Sequence, residues 1–295
     1  MKHSLILSLP LWFVSANILA DQQQEAVVED LLAVKLKADY STLNSVSLNR
    51  GGGYDLNVAK LEIGNFLANF SYETFAVDWR PYSKLPFGNG RTNPLSELKR
   101  YHLKVHLPYR LDKRRLFLGH LGAEVGYEDQ SDDALSLQAY TLYSEKLDSL
   151  NSWQLGLYVN HHPVETVILP IVEYTYNFNS PIRQGYYGHL GFPKTQIGYH
   201  FTPKIRSELE AVYHQAIMQL AADSVIEPAG YFQSKNWRGE WSTYYQVSKS
   251  FEMKASLQAS LSNEMVLYNH AYQEQDHFYG NGGLGVGIGV VYKFL

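Results

Sequence analysis

The chain of 295 residues contains no cysteine. That excludes disulfides, thiolate metal sites, a cysteine nucleophile and a lipid-modified N-terminal cysteine together. Beyond the first twenty residues there is no apolar run near the ~20 residues that a spanning helix needs. Basic clusters are missing too, and the formal net charge is −4. A nucleic-acid partner is therefore not expected. Neither Gly-x-Ser-x-Gly nor His-Glu-x-x-His occurs, so two common local signatures of hydrolases are absent.

What is present begins with a secretory pattern. Lys2 and His3 precede an apolar core from Leu5 to Val14, and small residues suited to cleavage follow at Ser15-Ala16 and Ala20. Residues 1–20 are thus expected to be a cleaved signal peptide. Residues 21–31 form a short polar leader, too small for a plug domain. Residues 32–295 show no composition shift that would divide them.

In that remainder, apolar and polar residues alternate with period two, run after run, with turn residues between. The last strand is the clearest. Leu284, Val286, Ile288, Val290, Tyr292 and Phe294 share one face, while Gly285, Gly287, Gly289 and Lys293 share the other. In 251–262, Phe251, Met253, Ala255, Leu257, Ala259 and Leu261 alternate with Glu252, Lys254, Ser256, Gln258 and Ser260. A face that stays apolar from end to end suits lipid, and its polar opposite suits a wet interior. The 23 Tyr residues, against 13 Phe and 5 Trp, fit a membrane interface, where an apolar ring with a polar tip is favoured.

Fourteen such runs can be counted. Tight links fall at 64–65, 111–113, 146–150, 179–181, 202–203 and 248–250. Longer links fall at 43–53, 77–96, 128–134, 160–165, 217–237 and 263–282. Short and long alternate, as they must when one rim carries turns and the other loops; Phe192-Pro193 is the exception, a tight turn on the long-loop rim. If the hairpin 185–202 left the wall, the count would fall to twelve. In 54–63, Lys60 and Glu62 would share a face with Leu56 and Val58, so a bulge near Ala59 is expected. The fold class expected is all-β, a closed antiparallel transmembrane β-barrel. Closure satisfies every main-chain amide and removes both edges, which lipid demands.

The signal, the uninterrupted series of amphipathic strands and the terminal Val290-Val-Tyr-Lys-Phe-Leu295 resemble outer-membrane β-barrel proteins of Gram-negative bacteria, and the likeness spans the mature chain. It is closest to small barrels of uncharacterised function. The resemblance implies a cell outer-membrane location and contact with lipid and lipopolysaccharide. It also implies that the assembly machinery reads the last strand. A monomer is expected, with no cofactor and no metal.

The inward faces carry both signs of charge. Lys35, Lys37, Lys104 and Lys254 accompany Glu73, Glu124, Glu173, Glu208, Glu210, Glu240 and Glu252, and His102, His106, His120, His200 and His214 join them. These residues are candidates to line a pore or a binding lumen. The alternative is a structural ion-pair lattice that fills a narrow interior. A turn centred near Asp112 would place Lys104 across from His120, with His102 and Glu124 nearby, but a flat wall seldom converges ligands on a metal. His161-His162 is expected to be a solvated loop. Near the outer rim, His270, Asp276, His277 and Asn281 could make a lipid- or peptide-cleaving site; a polar surface loop is the other reading. Gly285, Gly287 and Gly289 either leave room for a ligand or relieve crowding. Loop 77–96 could fold inward as a constriction or cap the mouth; a solvated surface loop is the other reading. The functions consistent with this pattern are passive passage or binding of a small solute, with loops 77–96 and 217–237 setting access; a membrane-embedded hydrolase; and a structural or adhesive surface barrel with a filled lumen.

Overall fold

The computed structural model describes residues 32–129, 134–177 and 185–294. The expected signal, the leader and the links at 130–133 and 178–184 lie outside the described residues. The rest is one antiparallel sheet closed on itself. Its strands are β1 (Lys35–Leu48), β2 (Gly53–Gly64), β3 (Ala68–Arg80), β4 (Glu97–Arg110), β5 (Arg115–Tyr127), β6 (Leu135–Lys146) and β7 (Asn151–His161). They continue with β8 (Thr166–Tyr176), β9 (Gly185–Phe192), β10 (Lys194–Thr202), β11 (Ile205–Gln219), β12 (Tyr231–Gln246), β13 (Phe251–Tyr268), β14 (Glu274–Asn281) and β15 (Leu284–Lys293).

β14 and β15 occupy one position in the wall. β13 pairs with β15 over its lower half and with β14 over its upper half. β1 does the same from the other side, from Lys35↔Lys293 to Leu48↔Gly280. The wall is therefore fourteen strands round, and the β9–β10 hairpin belongs to it. The count of twelve is excluded.

Outside, the alternation reads as expected. Leu103, Leu121, Leu137, Ile168, Leu209, Leu257 and Ile288 stand about half exposed or more on the outer face. Aromatic rings gather beside the tight turns: Tyr143 lies against Phe117 and Trp153, Tyr199 against Tyr186 and Phe201, and Tyr292 against Phe294. An apolar band with an aromatic girdle is the exterior of a membrane-spanning barrel. The tight turns share one device, a side-chain oxygen that accepts from main-chain N–H groups ahead of it. Asn65 receives Leu67 and Ala68, Asp112 receives Arg114 and Arg115, Asp148 receives Leu150 and Asn151, and Thr202 receives Lys204 and Ile205.

The other rim departs from the sequence reading. Two expected long links, 43–53 and 263–282, are largely strand, and strand enters the ends of 160–165 and 217–237. β1 runs on to Leu48, β8 starts at Thr166, β11 and β12 extend to Gln219 and back to Tyr231, and β13–β14 form a hairpin that turns at 269–273. The period-two signal fails there because three neighbouring strands kink at one level. β1 shifts register between Leu43 and Val46, with Ser45 at φ 62°. β13 carries an extra residue opposite Trp237/Arg238. The last wall position turns at Gly282 and Gly283, with φ 74° and 99°. A one-residue insertion exchanges the two faces of a strand. Inward parity accordingly passes from Leu43 to Val46 and Leu48, from Ser260 to Asn263 and Met265, and from Gly285 to Gly280 and Phe278.

The bulge expected near Ala59 is absent: β2 pairs with β3 without a break from Gly53↔Arg80 to Gly64↔Asn69. Leu56 and Val58 face inward with Lys60, because the interior itself becomes apolar at that height.

Candidate functional site

The interior has two storeys. The lower one is built from ion pairs, most of them between neighbouring strands. Glu62 accepts Lys37 at 2.6 Å and lies 3.6 Å from Lys60, which also reaches Glu73 at 3.1 Å. Arg100 holds Glu73 and lies 3.8 Å from Glu124, and His102 is 3.6 Å from the same Glu124. Across the barrel, Arg206 binds Glu208 at 3.0 Å and engages Glu252 with two nitrogens. Lys194 pairs with Glu210, Lys254 with Glu240, and His189 with Glu173 at 3.3 Å. Opposite charges on adjacent strands fall on the same face at directly paired or diagonal positions, within side-chain reach.

At the tight-turn end this storey opens into a vestibule of about 790 Å³, lined by Lys35, His200, Lys204, Arg206, Glu208, Glu252 and Lys293 among others. The inward residues expected from sequence thus all lie on the inner wall, but they do not form one site. Lys35, His200, Glu208 and Glu252 surround the vestibule. Glu73, His214, Glu240 and Lys254 reach the floor of the storey above.

The β4–β5 register differs from the one expected. His106 faces His120, Lys104 faces Gly122 and His102 faces Glu124. The turn that Asp112 organises places Arg110 opposite Leu116, two residues further round than a turn centred on Asp112 itself would. His120 stacks on Tyr140 at 4.4 Å and 6°, with His106 4.8 Å away. These rings pack against one another, and no metal-binding cluster forms among the described residues. A Cβ at Gly122 would meet Nε2 of both His120 and His102, so a glycine is what lets the rings close over the wall.

The upper storey is apolar. Leu43, Val46, Leu48, Tyr54, Val77, Trp79, Leu95, Leu98, Met218, Leu220, Phe232, Met265, Leu267 and Phe278 form a buried core inside the barrel. Two links enter it. The β3–β4 link (81–96) folds inward: the Trp79 indole donates to Leu95 O at 3.0 Å, and Phe87 sits edge-on to both Trp79 and Phe278. The β11–β12 link (220–230) contributes Leu220 and Ile226. Beneath lies a cavity of about 310 Å³, with Leu56, Val58, Phe75, Val77, Met218 and Phe232 among its walls and Lys60, Arg100, His214, Arg238, Glu240 and Lys254 as floor.

The top of the barrel is also narrower than its base. β9 and β10 are short, so β11 rises beyond β10 and meets β5 in a parallel contact at Gln219↔Tyr127. Glu128 N donates to Gln219 O and Ala221 N to the Glu128 carboxylate, both at 2.8 Å. At Gly126 a Cβ would lie 3.0 Å from Met218 and 3.1 Å from Ile217 O, so the approach depends on glycine there. Outside this seam the β7–β8 link leans on the far side of β11 and β12. Its Glu165 accepts from Gln215, Gln233 and Lys235 at 3.2, 2.5 and 3.3 Å. The same link corrects the expectation of a solvated His pair. His161 bonds Thr166 at 2.8 Å, but His162 is buried, accepts Val164 N at 3.1 Å and meets the Tyr231 ring edge-on. Burial, helped by His161, holds the His162 pKa down to about 4.

At the outer rim the suspected cleavage residues are engaged elsewhere. Asp276 binds Arg50 at 2.5 Å on the side of buried Phe278. His277 lies on the opposite face of β14, 3.2 Å from Glu264 and 3.7 Å from Glu274. His270 sits on the exposed hairpin turn. Gly285, Gly287 and Gly289 prove to be close approaches: a Cβ would strike Thr42 O, Ser256 Oγ and Asp39 respectively.

Several residues of the interior escaped the sequence reading. Arg100, Arg206 and Arg238 share a face with His102, Glu208 and Glu240, and that shared parity was the available signal. Glu165 gave none, because it acts from a link.

These features define a membrane-spanning β-barrel of the outer-membrane kind, with a charged lower lumen and a capped apolar upper one. No family model matches the chain, and no curated protein sequence matches it. Among solved structures it is similar to an outer-membrane channel from Pseudomonas putida F1, at 10% identity and TM-score 0.45 over 89% of this chain and 96% of the other. It is also similar to the NanC porin, at 8% and 0.39 over 89% and 100%. A third is the KdgM porin in complex with disordered oligogalacturonate, at 11% and 0.37 over 88% and 99%.

Proposed function

We propose that the protein is a passive outer-membrane barrel that admits and holds a small solute, and that it rests with its extracellular mouth closed. The observation that carries this is the division of the interior. A polar vestibule opens at the tight-turn end, and above it lies a second cavity with apolar walls, below the level at which links 81–96 and 220–230 fold inward. A barrel needed only as a support has no use for a cavity beneath two inward links. The inner Lys, Glu, Arg and His residues would set polarity on the way through. In this reading the chain works as a monomer, its apolar band meets lipid and lipopolysaccharide, and its last strand is what the assembly machinery recognises.

One observation favours a second reading, a structural surface barrel with a filled lumen: most inward carboxylates already have a cationic partner. Single-channel recording in planar bilayers separates the two. The wild type is expected to give small, infrequent current steps. A variant with residues 82–94 replaced by a short Gly-Ser link is expected to raise conductance at least tenfold. Silence from both proteins would sink the passage reading and leave the structural one.

A further inference from the structure

The cavity floor carries four cations, Lys60, Arg100, Arg238 and Lys254, against three carboxylates, Asp39, Glu73 and Glu240. Three of the cations are committed. Lys60 and Arg100 bind Glu73, and Lys254 binds Glu240. Glu240 is further occupied by Ser242 and Gln258, at 2.5 and 2.9 Å. Arg238 is different. Among the described residues it makes no ion pair, and its one hydrogen bond goes from Nη2 to Nε2 of His214 at 3.3 Å. Arginine can only donate, so the His214 Nε2 accepts and contributes no charge-balancing group. The Arg238 Nε is buried and has no partner at all.

Glu240, two residues along on the same face, senses the charge of Arg238 but forms no salt bridge with it, and a buried guanidinium N–H without a partner is costly unless something anionic completes it. The Nε–H and a terminal N–H of a guanidinium form the fork that takes a carboxylate with two parallel bonds. Above the floor, Leu56, Val58, Phe75, Val77, Met218 and Phe232 form the apolar part of the wall, with Ser234, Asn236, Ser260 and Asn263 among them. A chamber of this size and lining suits a small molecule with one polar end.

We propose that the upper cavity is a binding site for an amphipathic monoanion, its carboxylate on Arg238 and its apolar body under the cap. The proposal rests on the reading of the barrel as a solute carrier and names the class of solute. Octanoate is the probe. Isothermal titration of the full barrel in lipid nanodiscs, with empty nanodiscs subtracted, is expected to show saturable 1:1 binding of octanoate. Octan-1-ol and octylammonium should bind at least tenfold more weakly. Arg238→Gln should lose at least tenfold in octanoate affinity, and Arg238→Lys should fall between, because an ammonium lacks the fork. Val58→Trp, which fills the chamber and leaves the charge in place, should also lose octanoate while the barrel stays folded by heat-modifiable gel mobility. Equal binding of octanoate, octan-1-ol and octylammonium by the wild type overturns the proposal, whatever the variants do. So does octanoate binding that neither Arg238→Gln nor Val58→Trp weakens. Selective binding without conductance supports the site and overturns passage. Conductance without selective binding does the reverse.

Discussion

The two storeys of this barrel solve the same packing problem with opposite chemistry. Below the kinks at Ser45, at the extra residue of β13 and at Gly282-Gly283, the inner wall is Glu, Lys, Arg and His, balanced pair by pair across neighbouring strands. Above them it is Leu, Val, Tyr, Trp, Phe and Met, packed as a soluble core is packed. The outer wall does not change between the two, since lipid surrounds both. In the lower storey the carboxylates of Glu73, Glu124, Glu208 and Glu240 are buried, and a buried pair adds little net stability once its desolvation is counted. The upper storey draws its stability from buried apolar area and from the links that pack into it.

If that contrast is right, disturbing the apolar packing of the upper storey should loosen the cap. The largest effect is expected from Trp79→Ala. Trp79 is 1% exposed and ties the β3–β4 link down through Leu95. Its loss should destabilise the barrel by about 3–5 kcal/mol, measured by denaturant unfolding in detergent, and should open residues 81–96 to protease. A cost below about 1 kcal/mol would mean that the cap is not cohesive.

Next in size is the seam. Cysteine pairs are clean probes in a chain that has none. Tyr127→Cys with Gln219→Cys should oxidise to a bridge readily, because the two positions are paired across the lumen. Gly126→Val added to that pair should cut the yield several-fold on a non-reducing gel, since the new side chain meets Met218 and Ile217 O. An unchanged yield would show that β5 and β11 do not need glycine to meet.

The smallest expected effect sharpens the comparison by pH. His162 belongs to the β7–β8 link and is held neutral, its pKa lowered by burial from 6.5 to about 4. The unfolded link takes up a proton first as pH falls. The stability contributed is therefore intact above pH 6.5, declines between 6.5 and 4, and levels off below 4. Hydrogen-exchange protection factors of residues 159–166, taken relative to the intrinsic rate at each pH, should fall between pH 7 and 4. A profile that is flat over that window would show that His162 is not buried in solution.

The parts that could be read from sequence are those that depend on one residue at a time. Leu257, Leu209 and Ile288 each meet lipid alone, so their spacing announced strands, parity and closure. Inner residues were legible by the same parity as far up as the kinks. The upper ends of β1, β11, β12, β13 and β14 were not, for two physical reasons. The kinks exchange inward and outward faces at Val46, Asn263 and Phe278. At the top of β11 and β12 both faces are covered, one by the apolar core and the other by Glu165 and His162, so no polar face remains to mark the period. Register was a finer matter still. Whether Lys104 or His106 faces His120 turned on which residues Asp112 gathers into one turn.

The amino-acid sequence by itself determined that this chain closes into a wall of amphipathic strands with oil outside and polar groups within, because contact with lipid repeats at every second residue and an open amide cannot be left in hydrocarbon. Only the tertiary structure decided that the strands number fourteen, that two links fold into the upper lumen, that β11 crosses to β5, and that Arg238 stands without an ion pair beneath a largely apolar chamber. Those features depend on side chains from strands and links far apart in sequence, which closure of the wall brings within a few ångströms of one another.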